Sequence, residues 1–177
     1  MKKCIIFILL LVTFSSVTFA QSVLGVKVGE NYEDAKINLK ARYGYKLMED
    51  SGNLTLHNFE MGDFSFDFGT LFFQWNNNTA KFYKAVFQKW KTVGDVESIK
   101  KSRDLLREKI ESKYTVNEFM SNQGFKCYDF IGEETNGVTM YGSIEVRRTK
   151  GKDGVERLYL MLFYEPKANF IIDNSDF

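Results

Sequence analysis

Proline is almost missing: Pro166 is the only one in 177 residues. Because proline interrupts helix interiors and central strands, its scarcity fits long unbroken elements. Histidine is reduced to His57, which excludes multi-histidine metal centres and leaves at most a single imidazole base. The two cysteines are Cys4 and Cys127. Cys4 lies in a segment that reads as removed, so no intramolecular disulfide is expected in the mature chain, and stability must come from packing. Excess charge is lacking too. Without Lys2 and Lys3, the 24 basic residues fall to 22 against 23 acidic ones. Such balance gives no whole-protein footprint for nucleic acid or an anionic membrane, and no nucleic-acid partner is expected.

A spanning hydrophobic stretch is also wanting. The strongly apolar run Cys4 to Val12 falls short of the roughly twenty residues that cross a bilayer as a helix. It is preceded by Lys2 and Lys3 and followed by Ser15, Ser16 and Thr18 down to Ala20, which is the layout of a cleavable secretory signal. A lipoprotein signal would place cysteine just after the run, where Gln21 stands instead. The reading is therefore a signal peptide over 1–20, cleavage near Ala20, and a secreted or periplasmic protein that is not integral to the membrane. The remaining 21–177 suits a single domain with one core.

What is present is aromatic and periodic. A helix is predicted over 31–43, with Asn31 as N-cap, Glu33 and Asp34 in the first turn, and Gly44 placed to end it. A second helix is predicted over 95–114, with Ile99, Arg103, Leu106, Ile110 and Tyr114 on its buried stripe. The rest reads as strands: 54–60, 64–75 with a bulge or bend at Gly69, 81–91, 127–133, 138–148 interrupted at Gly142, and 155–165. Sliding the chain by 71 residues brings Tyr43 onto Tyr114 and Phe59 onto Phe130. The fold class expected is thus α+β: two tandem α-β-β-β units, about 24–91 and 95–165, forming a mostly antiparallel sheet of about six strands with two helices on one face. A tail, 167–177, follows.

The opening Val23-Leu24-Gly25-Val26 with Gly29, the aromatic strand ending in Trp90, and the helix closing with Glu111-Ser112-Lys113-Tyr114 resemble small uncharacterised secreted proteins of Bacteroidetes type. The tandem plan is similar to the β-lactamase-inhibitor-protein architecture, whose concave sheet face binds protein. This resemblance implies a binding module without naming its partner, and it transfers no individual site residue.

Motifs for chemistry are few. His57 with Glu60, Asp63 and Asp67 is the one grouping with metal-ligand residue types, but alternation along a regular strand puts His57 and Glu60 on opposite faces. No Gly-x-Ser-x-Gly elbow exists, and Cys127 reads as a small buried hydrophobe rather than a nucleophile. Lys150-Gly151-Lys152-Asp153-Gly154 is turn chemistry, not a phosphate loop. No cofactor is expected. The returning strands are apolar on both faces, more than two helices can cover. The function expected is therefore non-enzymatic binding through an aromatic sheet face, with Tyr83, Phe87, Tyr159, Met161 and Phe163 as contacts. The partner would be an envelope or extracellular protein or a second copy. The alternative is a carrier of a small apolar molecule or lipid; a Cys127 or His57 hydrolase ranks below both.

Overall fold

The computed structural model describes residues 21–151 and 153–168. The predicted signal segment, Lys152 and the tail from 169 to 177 lie outside the described residues. A short hairpin, β1 (Ser22–Val23) and β2 (Val26–Lys27), precedes α1 (Tyr32–Tyr43), a 3-10 turn at Gly44–Lys46, and four strands: β3 (Leu47–Asp50), β4 (Asn53–Met61), β5 (Phe64–Asn76) and β6 (Thr79–Thr92). Then come α2 (Val96–Glu111), β7 (Thr115–Met120), β8 (Lys126–Ile131), β9 (Val138–Thr139), β10 (Tyr141–Lys150), β11 (Glu156–Tyr164) and β12 (Lys167–Ala168).

The first helix begins and ends where sequence chemistry places it, whereas α2 starts at Val96 as expected but stops at Glu111, short of the predicted end at 114, so Tyr114 lies beyond it. The Asn31 side chain accepts the Asp34 amide at 2.9 Å, satisfying one of the donors left open at a helix start. Gly44 closes α1 with φ +57°, in the left-handed region that suits glycine. In α2 the buried residues are Ile99, Arg103, Leu106 and Ile110. Arg103 is tolerated there because its guanidinium donates to the Lys126 carbonyl at 3.1 Å and pairs with Asp104 at 2.7 Å.

The expected pair of α-β-β-β units with about six strands is overturned. The protein is mostly β, with one eight-strand antiparallel sheet in the order β3-β4-β5-β6-β11-β10-β8-β7. The two extra strands, β3 and β7, are its edges. They are short, and their burial is slight, so polar residues such as Glu49, Asp50, Asn117 and Glu118 interrupt any apolar alternation. The centre is the pairing of β6 with β11, running from Arg157 opposite Thr92 to Tyr164 opposite Ala85.

The two helices pack on the same side of this sheet. Ala35 and Leu39 of α1 and Ile99, Leu106 and Ile110 of α2 share one core with Leu54, Leu56, Phe59, Phe66, Phe82, Phe87, Leu158, Leu160 and Leu162. Burying each large side chain contributes about 1.5–3 kcal/mol. Gly69 and Gly142 neither bulge nor break their strands. A Cβ at Gly69 would stand 2.6 Å from the Phe87 ring and 2.8 Å from that of Phe59. At Gly142 it would meet the Phe163 carbonyl oxygen at 2.1 Å and the Phe130 ring at 2.2 Å. These glycines are there for close approach.

The true register shift lies opposite Phe72 and Phe73: Phe72 pairs with Lys84 but Phe73 with Phe82, leaving Tyr83 as the extra residue of β6. A second irregularity sits at Asn58, which has φ +48°. Beyond each point the residues facing the helices change parity.

Gly69→Ala should cost about 1–3 kcal/mol through overpacking, with the aromatic rings taking up part of the strain. Gly142→Ala should cost more, because a main-chain oxygen stands in the way. Urea unfolding should give a lower midpoint for both at an unchanged slope.

Candidate binding face

The side of the sheet turned away from the helices is built by alternation. On β11, Leu158, Leu160, Leu162 and Tyr164 are buried under the helices, so Arg157, Tyr159, Met161 and Phe163 stand on the other face, half-buried. Cross-strand neighbours extend this column. Val86, Gln88 and Trp90 of β6 lie beside Phe163, Met161 and Tyr159 on one flank, and Ser143, Glu145 and Arg147 of β10 lie on the other.

Three of the five expected contacts, Tyr159, Met161 and Phe163, therefore share a face. Tyr83 sits half-buried at the bulge. Phe87 is corrected: it is fully buried on the helix side, opposite Leu162, and belongs to the core. The bulge at Tyr83 reverses the alternation that grouped Tyr83 with Phe87. Trp90, which sequence alternation set on the opposite face, is 44% exposed and stands beside Tyr159.

Cations are laid over these rings. The Arg157 guanidinium is 4.9 Å from the Trp90 ring centre, Arg147 is 5.3 Å and Lys84 5.8 Å from that of Phe163, and the Lys167 ammonium is 4.5 Å from that of Tyr141. Each of the first three is also tied to a carboxylate: Arg157 to Asp153, Arg147 to Glu145, and Lys84 to Glu165. Gly151 makes room for the Arg157 and Asp153 clip, since a Cβ there would lie 2.6 Å from the guanidinium. Trp90 is further pinned by its amide, which donates to the Asp67 carboxylate at 2.8 Å.

At one end this face deepens into a groove of about 920 Å³ between the β7–β8 loop and the β10–β11 hairpin. Tyr159, Met161 and Gln88 line it with Phe119, Met120, Gln123, Glu145 and Arg147 to Gly151. No protein-family model, curated protein or solved structure matches this chain. The likeness drawn from the motifs between Val23 and Tyr114 thus rests on sequence alone, and the geometry of the face must carry the functional reading.

The remaining candidates for chemistry are dispersed. His57 packs edge-on against Phe68, ring centres 4.8 Å apart. Among the described residues, no three His, Cys, Asp or Glu side chains converge as a metal site, and no helix is long and apolar enough to cross a membrane. Cys127 is buried, and its thiol is pushed above its ordinary pKa, chiefly by that burial and less by Glu145, with the Val146 amide and Ser121 acting the other way.

Two outcomes follow from these placements. Cys127 should resist a thiol reagent in the native protein and react at once in denaturant; rapid native labelling would contradict the burial. Asp153 is held well below the usual carboxylate range, first by its hydrogen bond from Arg157. A depressed pKa keeps the clip intact at and above the ordinary Asp value of about 3.9 and opens it only well below. In a Trp75→Phe background, Trp90 emission should stay constant from neutral pH down to that range, and Asp153→Asn should change it at neutral pH.

Proposed function

We propose that this chain is a secreted or periplasmic binding module, without catalysis, that holds a protein partner or a second copy against the outer face of its sheet. The observation that carries this reading is the placement of Tyr159, Met161 and Phe163, partly exposed in one column on a central strand and facing away from both helices. Trp90 and Arg147 flank that column, and Arg157 stands at its end on the same strand. Aromatic residues, methionine and arginine are the types enriched in interface centres and binding hot spots. The cations over Trp90 and Phe163 keep the face compatible with water until a partner arrives. A small apolar ligand is the weaker fit, because the helix side is filled by Phe59, Phe66, Phe82 and Phe87, and the groove rim carries Glu145, Arg147, Arg148 and Lys150.

The test pairs binding with folding. Tyr159→Glu and Phe163→Glu should each abolish capture of the envelope partner or self-association while the protein stays folded, losing about 0.5–3 kcal/mol of stability as single substitutions commonly do. Phe87→Glu should instead unfold the protein. If Tyr159→Glu and Phe163→Glu unfold it as well, the face is core and the proposal fails. N-terminal sequencing of the exported form should begin at Gln21; retention of Met1 to Ala20 would remove the compartment.

A further inference from the structure

One edge inside the sheet is unfinished. β10 runs to Lys150, but β8 leaves it after the pairing of Tyr128 with Ile144, so among the described residues the stretch from Val146 to Lys150 has a strand neighbour only in β11. On the open side, a side chain takes the neighbour's place. The Gln123 amide donates to the Arg148 carbonyl at 2.9 Å and accepts the Arg148 N–H at 2.7 Å. That is the two-way exchange a residue of an antiparallel strand would make. Lys150, two residues on, turns its main chain the same way.

The groove beside this edge has a definite chemistry. Its lining carries three bases, Arg147, Arg148 and Lys150, against one acid, Glu145, which Arg147 already engages at 2.6 Å. Its apolar part is Phe119, Met120, Tyr159 and Met161, with Met120 60% exposed. Net positive charge, apolar footing and an available main-chain edge together fit an extended polypeptide bearing carboxylates and alternate apolar side chains, the mode in which a peptide completes a sheet.

We propose that the edge of β10 at Arg148 and Lys150 receives an extended acidic segment of a partner protein, which adds as a strand where the Gln123 amide now sits. This rests on the binding reading above and locates its contact. Gln123 is a placeholder: it keeps Arg148 satisfied in the free protein and yields its two hydrogen bonds to the incoming chain.

The probe is a capped heptapeptide alternating Asp with Val and Tyr, titrated against the full mature chain and followed by amide NMR shifts. Saturable shifts at Gln123, Arg148 and Lys150 are expected, weakening as salt is raised. Replacing Asp by Lys in the peptide, or N-methylating alternate amides, should each cost about tenfold or more in affinity. Gln123→Ala should tighten binding about two- to tenfold, since a competing hydrogen-bonded group is gone. Equal binding of the N-methylated peptide, equal competition by a sulfated oligosaccharide, weaker binding by Gln123→Ala, or no shift at millimolar peptide would each overturn the proposal. If the peptide moves nothing while Tyr159→Glu still abolishes partner capture, the docking edge fails and the binding face stands.

Discussion

A continuous seam of rings on the helix side organises this sheet. Phe59 meets Phe66 and Phe87, Phe87 meets Tyr164, Tyr164 meets Phe130, and Phe130 meets Tyr114, with ring centres 5.2 to 6.1 Å apart. The seam crosses from β4 to β8 and spans both halves of the chain. It exists because Gly69 and Gly142 leave the space that a methyl group would deny it. With no disulfide among the described residues and a single free cysteine, packing of this kind is the main source of cohesion.

The helices were legible in the sequence because their signals are local. Asn31 caps its own turn, Gly44 ends its own helix, and the stripe of Ile99, Leu106 and Ile110 recurs at helical spacing. The strand count was not, because β3 and β7 carry little burial and hence little alternation. The glycines were visible as interruptions, yet their role depends on rings from other strands. What they accommodate is set by Phe59, Phe87 and Phe130, which lie on the neighbouring strands.

The candidate face was half legible for a similar reason. Alternation along β11 is regular, so Tyr159, Met161 and Phe163 fall together as expected. β6 contains the extra residue Tyr83, and parity counted through it assigns Phe87 to the wrong side. A bulge of this sort leaves no mark in composition. Gln123 was invisible as a functional residue, since a loop glutamine acquires meaning only when Arg148 is brought alongside it. The cations over Trp90, Phe163 and Tyr141 likewise depend on strand neighbours that only the register reveals.

The order of strands has a consequence for assembly. Among the described residues β11 is the last strand of this sheet in chain order, yet it lies at the centre, between β6 and β10. A chain emerging from its N-terminus has the first four strands in hand while Phe87 and the long flank of β6 still lack their neighbour, and only the arrival of Glu156 to Tyr164 covers them. Such distant pairing favours slow folding with a late commitment. A nascent copy therefore waits, open along its middle, until Glu156 to Tyr164 have been delivered.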